Sequence, residues 1–236
     1  MIILGEIKNI FEWYSKAGPK DKETQWKENH SALEFAKLVL DNSFEKDIKD
    51  NILNKISSNQ NIIFAIPEQI TRLDEYKGGQ RNHDLSLYSE NDTEKIAVCF
   101  EAKVNEDFDK YVKEKWEEGN KKGSKIHDRI KNIINSLWQT SNIETYKDIK
   151  YQLLTGLFGT IKFAEQVHAK KCVFCIYQIV IDEKTKIEKN EFEIQKLLDS
   201  FNIKEKVMSN SLYGPVKTEN NIEFYISYLT RKKVVK

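Results

Sequence analysis

The clearest periodicity in the chain lies over residues 31–40, where Ala32, Phe35, Ala36 and Val39 recur at spacings of three and four. That stripe predicts an amphipathic helix. Ser31 stands at its start with Glu34 three residues on, the signature of a capping box. Ahead of it, residues 6–30 carry Trp13, Tyr14 and Trp26 around Gly18-Pro19 and read as a short helix, a turn and an aromatic-rich lead-in. Residues 45–57 predict a second, more polar helix. Residues 62–66 are a short apolar run ended by Pro67, which predicts a short strand. The run from His83 to Tyr88 alternates as a strand does, and residues 96–104 are apolar on both faces. With the polar loop 89–93 between them, they predict an antiparallel hairpin.

Downstream, residues 106–122 are charged and predict a helix. Ile126, Ile130, Ile133, Ile134 and Leu137 mark one side of a helix over 126–138, and residues 139–150 form a polar connection. Residues 151–168 predict the longest amphipathic helix, which leads into a buried strand over 172–181. Residues 190–208 read as helix, Tyr213-Gly214-Pro215 as a turn, and 222–229 as a final strand. The expected fold is α/β, a mixed sheet with helices on its faces and helical insertions. We expect one domain over residues 1–236, with a helical lead-in (1–60) and a C-terminal helix and strand extension (182–236).

Composition narrows the function classes. Lys plus Arg number 38 against 37 Asp plus Glu, a net charge of +1. That excludes a polycationic or acidic-tail protein but not a local basic patch. The three cysteines imply no disulfide framework. Cys172 and Cys175 have CxxC spacing, but residues three apart on a strand face opposite ways, so buried thiols are expected rather than a zinc or redox pair. Residues 1–6 form too short an apolar run for a signal peptide, and no stretch approaches a membrane span. A cytoplasmic protein that avoids the membrane is expected.

The candidate chemistry sits on the hairpin. Asp84 and Glu101 fall on paired strands, and Glu101 and Lys103 share one face of theirs. Adjacent carboxylates repel, and a hard dication relieves that repulsion through oxygen ligands. Mg²⁺ is the natural occupant, able to activate water and to offset charge on a phosphodiester oxygen. The same trio also reads as an ordinary ion-pair cluster at a sheet end.

Asp84 followed by Glu101-Ala102-Lys103 on the next strand resembles the signature of the PD-(D/E)XK nuclease superfamily, whose members share a restriction-endonuclease-like core. His83 stands where that signature usually has proline. Other segments resemble a group of bacterial proteins assigned to the superfamily: Trp13 with Gly18-Pro19, Trp26, the run from Ser31 to Ala36, Pro67-Glu68 with Thr71, Val104 with Glu106 and Phe108, and Tyr151 to Leu154. The resemblance spans about residues 10–185. It implies a nuclease using Mg²⁺, with Mn²⁺ as substitute, acting on nucleic acid and more specifically DNA, with a role in bacterial defence by analogy.

Carried over, Asp84 and Glu101 hold the metal, the Ala102 carbonyl is a further ligand, and Lys103 assists the water. Glu34 corresponds to a first-helix acid that some members use as a ligand, although its capping reading stands beside that one. Gln152 resembles a helix glutamine near the site, but Gly156 occupies the place of the tyrosine that completes the QxxxY version. Glu68 reads either as a site residue or as an acid at a helix start. Arg81 is a candidate phosphate contact or a solvated loop arginine. Lys121, Lys122, Lys125, Arg129 and Lys131 form one basic stretch, and Arg231, Lys232, Lys233 and Lys236 another. Each reads equally as a nucleic-acid track or a solvated face. Double-strand cleavage needs two sites, which makes a homodimer attractive. The alternative function is a nucleic-acid-binding or scaffolding protein of the same fold without catalysis of its own.

Overall fold

The computed structural model describes residues 1–19, 21–181 and 187–233. Seven strands form one mixed sheet in the order β1-β2-β3-β4-β5-β7-β6. They are β1 (Ile2–Ile3), β2 (Asn61–Thr71), β3 (Arg81–Glu90), β4 (Lys95–Val104), β5 (Lys171–Val180), β6 (Ser211–Lys217) and β7 (Glu223–Lys232). The predicted hairpin is β3 and β4, paired antiparallel from Leu85↔Phe100 to Glu90↔Lys95. β5 then runs parallel to β4, and β7 parallel to β5. The carboxyl ends of β4, β5 and β7 therefore lie on one edge of the molecule. β4 and β5 are buried on both faces, which is why they read as unbroken apolar runs.

Helices cover both faces. On one lie α6 (Val112–Glu118), α7 (Ile126–Trp138), α8 (Tyr151–Gln166) and α9 (Ile187–Ser200). Their apolar stripes meet Ala97, Cys99, Cys172 and Phe174. On the other lie α1 (Ile10–Ala17), α2 (Lys22–Gln25), α3 (Ser31–Val39), α4 (Phe44–Ile48), a π turn at Lys49–Leu53 and α5 (Asn54–Ile56). Trp13, Phe35, Phe44 and Ile52 of that layer pack on Phe100, Ala102, Cys175 and Tyr177. Cys172 and Cys175 thus face opposite layers, and both are free thiols. Among the described residues no helix is long and apolar enough to cross a membrane.

Several expectations are corrected. Pro67 does not end β2, which runs on to Thr71. β1 covers only Phe64 and Ala65 of its outer edge, so the missing N–H at Pro67 falls where no partner strand needs it. Tyr213-Gly214-Pro215 is not a turn but a bulge within edge strand β6. Gly214 has a φ of +119°, a conformation that favours glycine. The helix expected over 190–208 ends at Ser200. Ser31 is the first residue of α3 rather than its cap; His30 takes that place without a side-chain cap bond.

α8 lies close against the sheet because it carries two glycines there. A Cβ on Gly156 would stand 2.4 Å from Cζ of the buried Phe174 ring. One on Gly159 would stand 2.8 Å from Nε2 of His83. Alanine normally favours a helix interior over glycine by ~1 kcal/mol. Here overpacking against Phe174 outweighs that gain, so Gly156→Ala is expected to lower unfolding free energy by about 1–3 kcal/mol, read as a fall in the urea midpoint.

Candidate active site

At Asp84 the β3–β4 ladder stops. Backbone pairing ends at Leu85↔Phe100, and Oδ2 of Asp84 accepts instead from the Ala102 N–H at 2.6 Å. Across on β2, Glu68 adopts a φ of +51° between the Pro67↔Leu85 and Gln69↔His83 pairs. The strands therefore part where the side chains with chemistry begin. Leu85 and Leu87 face the α3 layer, whereas Arg81 and His83 at the start of β3 lie against Gly159 of α8.

Glu101 is the centre of what gathers there. It is 4% exposed, and Lys103, two residues on, is 5% exposed. Oε1 of Glu101 meets the Lys103 ammonium at 2.9 Å and accepts from Nε2 of Gln152 at 2.5 Å. Its Oε2 accepts from the Arg81 guanidinium. Gln152 sits in the first turn of α8 and also accepts from the Asp109 N–H at 3.2 Å. The carbonyl of Lys103 accepts from Gln178 of β5. Gln178 in turn accepts from Asn190 of α9, whose amide also reaches the Glu106 carbonyl. This buried chain of amides fixes the end of β4 and the start of the following loop.

Burial sets the electrostatics. It raises the Asp84 carboxyl above the usual aspartate range, against the Ala102 N–H, Lys103 and Arg81. It lowers the Lys103 ammonium, against the pull of Glu106 and Asp84. Glu68 is raised to about 7, by burial first and by the Asp84 charge second. Beside Arg81 and Gln152 opens a cleft of about 180 Å³, lined also by Leu73, Gly79, Gln80, Asp109, Tyr151 and Thr155.

The structure thus brings Asp84, Glu101, Lys103 and Gln152 to one end of the sheet. Arg81 joins them as a buried partner of Glu101 rather than a solvated loop arginine. Glu34 is held by other partners. It lies on α3 in the opposite layer, where its Oε1 accepts from the Asn29 N–H at 2.9 Å and pairs with Lys233 at 3.1 Å and Lys37 at 3.5 Å. Arg129 is also spoken for. It clamps Asp74 at 2.6 Å and the Gly79 and Gly78 carbonyls at 2.7 and 2.9 Å, holding the loop that forms one wall of the cleft. Lys121 and Lys122 sit in an exposed turn between α6 and α7, and Lys125 pairs with Asp128. In the second basic stretch Arg231 is bound to Asp47 and Lys233 to Glu28, while Lys236 lies outside the described residues.

Glu106 is the residue sequence reasoning passed over as a site candidate. Asn105 has a φ of +47°, so the chain turns directly after β4. Glu106 then lies close enough to bear on both Asp84 and Lys103, with its Oε1 buried and without a hydrogen-bond partner. Its place just past the Glu101-x-Lys103 pair was the available signal.

These residues fit a hard dication in kind. The available donors are all oxygens: Glu106 Oε1 is buried without a hydrogen-bond partner, and burial holds the Asp84 carboxyl above its usual range. Among the described residues no three His, Cys, Asp or Glu side chains form a ready cage. Mg²⁺ needs none, since one or two carboxylates and retained waters suffice for it.

Fold and site together define an α/β protein with a mixed sheet whose carboxyl edge bears a buried acid–base cluster beside a polar cleft. The chain belongs to the DUF6946 family: the family model, described as a domain of unknown function, matches residues 6–233. No curated protein and no solved structure matches it.

Glu68 gives the metal-free protein a pH signature. Its folded value of about 7 lies above the ordinary 4.5, so in that window the folded state holds a proton the unfolded state has released. Stability then falls as pH rises through the window and stays lower above it. Glu68→Gln removes this loss. In chelator, its urea midpoint relative to the parent is expected to rise between about pH 5 and about pH 8.

Proposed function

We propose that this chain is a Mg²⁺-dependent nuclease with a restriction-endonuclease-like core of the PD-(D/E)XK type, hydrolysing phosphodiester bonds in DNA. The observation that carries this reading is the meeting of Asp84, Glu101, Lys103 and Gln152 where the β3–β4 ladder opens, beside a polar cleft. Glu101 and Asp84 both accept hydrogen bonds there, as buried charges must.

Asp84, Glu101 and the Ala102 carbonyl would hold the ion, with Glu106 near enough to complete its surroundings. The ion supplies an acidified water and a counter-charge for the phosphate. Lys103, fixed by Glu101 and with its ammonium 5.4 Å from the centre of the Phe108 ring, orients the water on the β4 side. Burial lowers its proton affinity, against the pull of Glu106 and Asp84. Gln152 holds Glu101 in place from α8, and Arg81 is the cation nearest a phosphate that enters the cleft.

The second reading, a nucleic-acid-binding fold without catalysis, is favoured by one observation: Arg81 already occupies Oε2 of Glu101. The two are separated by a cleavage assay on linear duplex and single-stranded DNA with Mg²⁺ or Mn²⁺. Glu101→Ala would leave Arg81 and Lys103 as uncompensated buried charges, at a cost of about 3–5 kcal/mol, so loss of cutting could reflect unfolding. Asp84→Asn keeps an acceptor for the Ala102 N–H and is the cleaner variant. Cleavage is expected in the parent and reduced at least ~100-fold in Asp84→Asn at unchanged thermal midpoint. Equal cutting by both proteins would exclude this site, and no cutting by the parent would favour the binding reading.

A further inference from the structure

The lead-in helices carry an aromatic groove that the active site does not use. It has a volume of about 540 Å³ and is lined by Ile10, Phe11, Tyr14 and Trp26 with Lys22, Glu23 and Lys27. Phe11 is 77% exposed and Tyr14 38%. These are large rings to leave in water, and Trp13 beside them shows that this helix has a buried face of its own. The rings are held in place. Trp26 packs on the core, and the Tyr14 and Trp26 centroids lie 5.7 Å apart with planes tilted by 53°. The Lys22 ammonium stands 4.6 Å over the Tyr14 ring.

Position adds to this. Lys233 follows β7, and its N–H donates to the Val180 carbonyl at the end of β5. The same lysine binds Glu28, Asn29 and Glu34. The segment just after Trp26 is therefore tied to the carboxyl edge of the sheet, the edge that bears Glu101 and Lys103. From β4 to β7 is two strand spacings, ~10 Å. The charged residues that line the groove are two lysines, Lys22 and Lys27, and one acid, Glu23.

We infer that this groove is a stacking platform for unpaired nucleobases, with Phe11, Tyr14 and Trp26 as the faces and Lys22 and Lys27 as backbone contacts. Every base has a π-face, so such a platform accepts single strands without reading their sequence. The inference rests on the nuclease reading and sharpens it: the substrate carries a single-stranded segment next to the scissile bond.

The test is fluorescence anisotropy of a labelled oligodeoxythymidine and of a blunt duplex, in chelator, with the parent, Phe11→Ala, Tyr14→Ala and Phe11→Trp. Circular dichroism checks that each variant is folded. The alanine variants are expected to bind the single strand roughly 5- to 150-fold more weakly, the loss that one base–aromatic stack brings. Phe11→Trp is expected to retain binding. Unchanged affinity in both alanine variants overturns the platform, as does failure of the parent to bind the oligonucleotide. A dimer that the alanine variants dissociate, with oligonucleotide binding unaffected, also overturns it. Because no cleavage enters this experiment, an inactive parent whose alanine variants lose oligonucleotide binding would defeat the nuclease reading and leave the platform standing.

Discussion

A carboxylate buried between two cations and an amide governs the rest of this molecule. Glu101 receives Arg81, Lys103 and Gln152 at the end of a strand that is otherwise apolar on both faces. Burying each of these charges costs several kcal/mol, which is recovered only when every oxygen and ammonium finds a partner. That requirement dictates the surroundings. β3 must separate from β4 so that Arg81 and Asp84 can turn inward. α8 must approach closely enough for Gln152 to reach Glu101, and Gly156 and Gly159 permit the approach. Gln178 and Asn190 must hold the backbone on either side of Lys103.

The cluster is nearly neutral by itself, with Arg81 and Lys103 set against Asp84 and Glu101. Glu68 and Glu106 add acid at its margin. In the free protein Arg81 does for Glu101 what an ion would do. Under the proposed function, a dication or a phosphate arriving in the cleft competes with, or rearranges, a pairing that already exists. Under the proposed function the free protein is stable because of the same pairs that substrate and metal redistribute.

Much of this was legible along the chain. The β3–β4 hairpin, the helix over 126–138, the side-by-side Glu101 and Lys103 and the opposed Cys172 and Cys175 follow from periodicity alone. Gln152 required the resemblance. What sequence could not show were contacts between distant segments. Glu34 looks like half of a local capping box until Lys233, far along the chain, takes its carboxylate. Arg81 and Arg129 look like exposed cations in polar stretches, yet each is drawn inward by a carboxylate on another element. Pro67 looks like a strand terminator because its register against an uncovered edge is invisible in one dimension.

The most direct test of the central claim is Mn²⁺ binding, followed by electron paramagnetic resonance as ion is titrated into the protein with a non-cleavable phosphorothioate oligonucleotide present. The account predicts saturable binding at Asp84 and Glu101 that is lost in folded Asp84→Asn. Equal binding by that variant, or no saturable binding by the parent, would contradict it.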